Sequence, residues 1–262
     1  MDRIYRVREE GEPFYAVESG GELRRAKVSS GGLFAGYSAG EPVRGGLSAV
    51  TVLVPVLPSK ILCVGLNYKA HAKEQGKALP ADPLLFTKPP SSVLNPGGTI
   101  RLPPGVGRVD YEGELAVVIG RRAHRIARAN AWECIFGVTC VNDVTARDLQ
   151  NKDSQYTRCK GFDTFAPLGP CIATGFDGRP RAIETWLNGE RRQASTSGDM
   201  IFGIDFLVEF ISFVMTLEPG DVISTGTPSG IGSIKHGDVV SVRLEGVGEL
   251  QNPVEDEQGA QL

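Results

Sequence analysis

Asp110-Tyr111-Glu112-Gly113-Glu114-Leu115-Ala116-Val117-Val118-Ile119-Gly120 is the stretch on which the fold is read. Its second half is apolar and β-branched and Gly120 closes it, which is the composition of a strand. Side chains on a strand alternate faces. Glu112, Glu114, Ala116 and Val118 therefore share one face, and Tyr111, Leu115, Val117 and Ile119 share the other. Both faces turn apolar after Glu114, so the strand runs into a core with two carboxylates side by side at its entry. Adjacent like charges beside a low-dielectric interior are costly unless a cation or a shared proton compensates them. Gly113 adds no side chain between them and lets another group approach the backbone. Taken alone, the pair also reads as two solvated glutamates at a strand start.

The bulk composition narrows the class. The 262 residues suffice for one large domain, or a medium domain with a small one. Hydrophobic content of 41% and charged content of 23% are those of an ordinary soluble globular protein. A net charge of −3 gives no reason to expect nucleic acid or an anionic membrane as a partner. Thirty-three glycines and 17 prolines suit a turn-rich, β-rich architecture. No secretory pattern opens the chain and no apolar run is long enough for a bilayer, so a cytoplasmic location is expected. Cys63, Cys134, Cys140, Cys159 and Cys171 are odd in number and contain no C-x-x-C pair. They read as buried reduced thiols, not as a disulfide framework or a zinc site.

Residues 1–57 read as a small β-rich N-terminal domain, with strands at 4–7, 14–18 and 50–57 and no obvious chemistry. Residues 58–262 form the main body. Residues 60–65 open it as a buried strand that runs into a helix-compatible segment stopped by Gly76. On that helix His71 and Glu74 are neighbours, and a histidine beside a carboxylate has the set tautomer that a general base needs. A surface pair of no function is the plain alternative. Residues 76–82 form a polar segment that could cover a site. Lys88 ends the next short strand before two prolines, fixed near a site or merely solvated.

Further along, residues 129–136 are expected as a helix packing Trp132, Ile135 and Phe136. Strand 138–142 ends at Asp143, a place for a ligand, a catalytic group or a simple cap. A helical turn follows that puts Arg147 and Gln150 on one face. Lys160 heads a Gly/Pro-punctuated loop. Asn188-Gly189 marks a hairpin. Residues 204–215 are the clearest amphipathic helix, with Leu207, Phe210, Ile211 and Val214 on one stripe. Strand 222–225 leads into the Gly-rich loop Gly226-Thr227-Pro228-Ser229-Gly230, whose amides could meet an anion, although it lacks the P-loop lysine. Three carboxylates at strand ends, Glu112, Glu114 and Asp143, are oxygen ligands suited to a hard ion: Mg²⁺ first, then Mn²⁺ or Ca²⁺.

Several of these pieces recur together in one family. Gly65-Leu66-Asn67-Tyr68 with His71 and Glu74, Phe86-Thr87-Lys88-Pro89 and Tyr111-Glu112-Gly113-Glu114-Leu115 come first. Asn142-Asp143-Val144-Thr145-Ala146-Arg147-Asp148-Leu149-Gln150, Lys160-Gly161-Phe162-Asp163 and the run from Gly220 to Gly230 follow. In this order they resemble the fumarylacetoacetate hydrolase family over about four-fifths of the chain. The leading residues resemble, more weakly, the small first domain of bacterial 2-hydroxyhepta-2,4-diene-1,7-dioate isomerases. The resemblance implies an α+β, mainly β fold, a mixed β-sandwich roll, and a homodimer. It implies Mg²⁺ on Glu112, Glu114 and Asp143 and a small-molecule 2-oxo acid substrate. His71, Glu74 and Lys160 would be catalytic, and Lys88, Arg147, Gln150 and Thr227 would bind substrate. The implied reaction is isomerisation or decarboxylation of a 2-hydroxy-dienedioate through an enolate. Acylpyruvate hydrolysis and oxaloacetate decarboxylation or tautomerisation are the alternatives, and a catalytically silent oxo-acid binding protein is the reading from another class.

Overall fold

The structure, a computed structural model, describes residues 1–258. It is mainly β, as expected, and is built around a 12-stranded sheet. The main path of this sheet runs Gly32–Pro42, Glu22–Ser29, Phe14–Ser19, Arg3–Arg8, Ala166–Thr174, Ile135–Asn142, Gly113–Ile119, Val222–Ser224, Ile61–Gly65 and Leu84–Lys88. Its pairs along this path are antiparallel except where Val222–Ser224 lies parallel to Ile61–Gly65. A five-stranded sheet packs against it, ordered Glu190–Thr196, Ala182–Leu187, Val239–Leu244, Gly248–Asp256 and Ile100–Leu102. A small three-stranded sheet joins Thr145–Ala146, Val109–Tyr111 and Gly232–Ser233. Among the described residues no helix is long and apolar enough to cross a membrane.

The N-terminal strands continue the main sheet through backbone pairing of Arg3 with Ala173 and Ile4 with Ile172. Their apolar side chains share clusters with the rest: Ile4, Val17 and Leu33 pack with Ile61, Ala116 and Val222. The expected boundary near residue 57 falls between Thr51–Leu53, which pairs with Arg3–Arg8, and the strand Ile61–Gly65.

Period-two alternation holds along Gly113–Ile119. Leu115, Val117 and Ile119 enter the core that includes Val242, Leu244 and Leu250 of the five-stranded sheet. Ala116 and Val118 enter the core on the opposite face. The expected single strand, however, breaks at Glu112. Val109–Tyr111 belongs to the three-stranded sheet, so Tyr111 packs with Val144, Phe165 and Ile234 instead of with Leu115. At the break Asn142 Oδ1 accepts from the Glu112 amide, at 2.9 Å, in place of a regular ladder bond.

Two helical expectations change. Residues Arg128–Cys134 form a 3-10 helix, and Ile135 and Phe136 start the next strand, where a β-branched and an aromatic residue fit better. Trp132 stays 39% exposed. The helix Ile204–Val214 forms, but its buried stripe is Ile204, Leu207, Val208 and Ile211, and Val214 faces out. The Asn188-Gly189 hairpin appears with φ of 53° and 81°, the left-handed pair that a two-residue turn requires.

Gly113 shows how closely the two large sheets meet. A Cβ there would lie 2.0 Å from Thr185 Oγ1 and 3.2 Å from Val242 Cγ2. The group that approaches the backbone at this glycine is therefore the facing sheet. Gly113→Ala should destabilise the fold by about 1–3 kcal/mol, the usual range for overpacking. Thr185 Oγ1 is buried without a hydrogen-bond partner, so adding Thr185→Ala should restore most of the loss. Thermal denaturation of the single and double variants checks this; an unchanged Tm for Gly113→Ala would contradict it.

Candidate active site

Neighbouring strands bring the three strand-end carboxylates together. Gly113 pairs with Asn142, so Glu112 and Glu114 flank the point where the next strand ends at Asp143. The Asp143 amide donates to the Glu112 carbonyl at 2.8 Å and holds that corner closed. One oxygen from each of Glu112, Glu114 and Asp143 lies within 4.8 Å of the others, and all three residues are buried. They are not solvated glutamates at a strand start.

Three cations compensate two of these carboxylates. Lys160 Nζ donates to Glu112 Oε2 at 2.7 Å and to Asp143 Oδ2 at 2.6 Å, with its ammonium 5.0 Å from the Phe86 ring centroid. Arg147 reaches Glu112 Oε1 at 2.5 Å, Asp110 Oδ2 at 2.9 Å and Gln150 Oε1 at 2.5 Å. Lys88 is buried behind the floor. Its ammonium donates to Asp143 Oδ1 at 2.6 Å and to the Val144 carbonyl at 3.1 Å. Burial works to raise the Glu112 carboxyl, but Lys160 and Arg147 outweigh it and hold the group well below the usual carboxylate range. Lys160 answers in kind: burial disfavours its charge, yet Asp143 and Glu112 keep the ammonium more strongly protonated than a free lysine.

Glu114 is different. Its bonds come from Ser224 Oγ at 2.5 Å and the Gly226 amide at 2.7 Å, both on Oε2. No lysine or arginine of the described residues pairs with it. Burial first, and then the charges of Asp143 and Glu112, push its carboxyl up to about 8. A carboxylate kept this way is satisfied by a divalent cation alongside it. An all-oxygen donor set with one carboxylate free of any ammonium or guanidinium therefore fits a hard metal ion, and the three residues can hold one.

The histidine pair forms as expected on the short helix Lys69–Glu74. His71 Nδ1 lies 2.8 Å from Glu74 Oε2. The carboxylate can only accept, so Nδ1 carries the proton and Nε2 is left as the basic nitrogen. Glu74 is itself held: its Oε1 accepts from the Gly230 amide at 2.8 Å, and the Gly230 carbonyl accepts from Tyr111 Oη, also at 2.8 Å. The Gly-rich loop does offer amides to anions, but the anions are Glu114 and Glu74.

His71, Glu112, Glu114, Asp143, Arg147, Gln150, Lys160 and Thr227 line one cavity of about 110 Å³. Leu66, with a left-handed φ of 59°, turns the chain from the strand Ile61–Gly65 toward the helix and also lines it. Two expected contacts differ in kind. Lys88 does not line this cavity and acts on Asp143. Thr227 stands on its wall with its hydroxyl engaged, donating to the Gly113 carbonyl at 2.9 Å and accepting from Gln193 Nε2 at 2.8 Å. Gln193 had no signal in the sequence beyond its place after the hairpin turn. It is buried and braces Gly113, Thr227 and Pro228 across the two sheets. Asn67 went unassigned too; it ties the Phe202 backbone to the Thr225 carbonyl below the loop.

Comparisons with known proteins show which family the chain belongs to. Residues 60–255 match the fumarylacetoacetate (FAA) hydrolase C-terminal family. The structure is similar to that of a 2-hydroxyhepta-2,4-diene-1,7-dioate isomerase from Mycobacterium marinum, with a TM-score of 0.89 and 39% identity over 99% of this chain and 100% of that one. It is similar to a 5-carboxymethyl-2-hydroxymuconate delta-isomerase from Mycobacterium smegmatis, with a TM-score of 0.87 and 42% identity over 98% of this chain and 100% of that one. In sequence it is 41% identical to an oxaloacetate tautomerase of Bacillus subtilis over 79% of this chain and 74% of that protein. On the family match and these likenesses, the chain belongs to the fumarylacetoacetate hydrolase family and is an enzyme.

Proposed function

We propose that this enzyme shifts a proton between carbon and oxygen of a short 2-oxo dicarboxylic acid such as oxaloacetate, with Mg²⁺ held by Glu112, Glu114 and Asp143. The observation that carries the reading is that His71, with Nε2 left free by the Nδ1 bond to Glu74, lines the same small cavity as the three buried carboxylates. Bound at the floor, the ion supplies electrophilic stabilisation of negative charge developing on the 2-oxo oxygen. His71 Nε2 takes the proton from the carbon next to the oxo group, and Glu74 holds the ring and stabilises the imidazolium that forms. The same nitrogen returns the proton to oxygen. Lys160 and Arg147 keep Glu112 ionised throughout, and Lys88 and Lys160 fix Asp143.

The likeness to an oxaloacetate tautomerase favours a four-carbon acid. The second reading, isomerisation of a seven-carbon dienedioate, is supported by the likeness to isomerases over the full chain, N-terminal strands included. Both readings are proton shifts. Following the ultraviolet absorbance of enol-oxaloacetate and of 2-hydroxyhepta-2,4-dienedioate, with Mg²⁺ and with EDTA, separates them. Oxaloacetate should be the faster substrate, and EDTA should abolish turnover. Turnover that survives EDTA would overturn the metal assignment, and tight binding without turnover would favour a binding protein.

Glu114→Ala should abolish Mg²⁺ binding in titration calorimetry while the far-UV circular dichroism stays native; an unchanged Mg²⁺ affinity would remove the triad. His71→Ala should retain Mg²⁺ and lower kcat by about 10²–10⁴-fold, the usual worth of a positioned base. Tyr111→Phe, which frees the Gly230 carbonyl, should lower kcat several-fold and shift the pH profile of kcat while leaving Mg²⁺ affinity alone. A wild-type kcat in His71→Ala would refute the base assignment.

A further inference from the structure

We infer that Lys77, at the mouth of the cavity, is a specificity-determining residue that binds the substrate's second carboxylate. The inference rests on the proposed 2-oxo acid chemistry and extends it to the other end of the substrate. Four cationic or potentially cationic side chains line the cavity: His71, Lys77, Arg147 and Lys160. Three of them are engaged. Lys160 spans Glu112 and Asp143, Arg147 spans Asp110, Glu112 and Gln150, and His71 is bound to Glu74. Among the described residues Lys77 has no carboxylate partner. A dianionic substrate whose 2-oxo acid head sits at the floor meets one uncommitted cation among the residues that line the cavity, and that cation is exposed where the floor is buried.

The backbone places this lysine with some care. The helix carrying His71 stops at Gly76, whose φ of 63° suits glycine, and the Lys77 amide then donates back to the Ala72 carbonyl at 2.9 Å. The root of the side chain is thus tied to the turn that carries the proposed base, although the side chain itself is exposed. Two more unused donors lie at the same cavity. Arg147 can only donate, so Gln150 Oε1 must face it, and Gln150 Nε2 is left for another acceptor. Tyr156, held edge-on against Phe86 with ring centroids 5.4 Å apart, lines the same cavity with its hydroxyl unbonded among the described residues. An ammonium, an amide and a phenol together suit a carboxylate. An acyl tail without charge would leave them unpaired.

The test compares oxaloacetate with its 4-methyl ester on the Mg²⁺-loaded enzyme. A charge-assisted contact at a solvent-exposed lysine is worth about two- to tenfold in kcat/KM. Wild type should prefer the diacid by that factor, and the preference should weaken as salt rises, because the site is exposed to solvent. In Lys77→Gln the ratio should fall toward one through KM for the diacid, with kcat little changed and the salt dependence gone. Lys77→Arg should keep most of the preference. A ratio in Lys77→Gln equal to that of wild type, or a wild-type ratio near one, would overturn the inference. If wild type turns over neither compound, the tautomerase reading fails. The ratio of their dissociation constants, by calorimetry on the Mg²⁺-loaded protein and on Lys77→Gln, then decides the subsite by the same criteria.

Discussion

The ammonium of Lys160 lying between Glu112 and Asp143 is the interaction on which the rest of the site depends. Each of these carboxylates would be costly in the interior by itself, and a buried lysine would be equally costly. Together they are tolerated because each finds its partners at hydrogen-bond distance. Removing one partner of such a group typically costs about 3–5 kcal/mol, since the remaining charge is stranded. Lys88 and Arg147 extend the same logic to the back and side of the floor. What the network omits is as informative as what it includes. Glu114 receives a hydroxyl and an amide but no cation, so the compensation of the floor stops one carboxylate short. That shortfall, and not simply the count of acidic residues, makes the cluster suited to a divalent ion.

Much of this was legible in the sequence, and the limits have physical causes. Alternation along residues 113–119 is a property of the backbone, so the two core faces could be read directly. The break at Glu112 could not be read, because it depends on which strands pair. Val109–Tyr111 finds its neighbours at Thr145–Ala146 and Gly232–Ser233, far away in the chain. Lys88 stayed open between a site and solvent, because a strand-end lysine carries no sign of whether it faces substrate, faces water or braces a carboxylate from behind. Gln193 shows the opposite failure. Its importance lies wholly in the facing sheet, and no local pattern around it differs from an ordinary polar hairpin. The helix expected at 129–136 failed because Ile135 and Phe136 were assigned by helical spacing when the main sheet had use for them as strand residues.

The Gly-rich loop links the two halves of the proposed chemistry in a way that neither half reveals. Its first glycine donates to Glu114 on the floor, and its last donates to Glu74, which orients His71. Between them Thr227 is pinned to the Gly113 carbonyl, one residue from each floor glutamate. One five-residue segment therefore contacts both the floor and the residue that orients the base. That segment has little freedom of its own. Gly226 has a φ of 96° with Asn67 Cβ 2.7 Å from where a Cβ would stand, and Gly230 has a φ of 101° against the Arg192 carbonyl. A side chain at either position would move the loop, and with it both carboxylates at once. For a reaction that lifts a proton with one group while charge gathers beside the other, a shared rigid mount keeps the two in register. The glycines that first looked like a generic anion-binding loop are better understood as this mount.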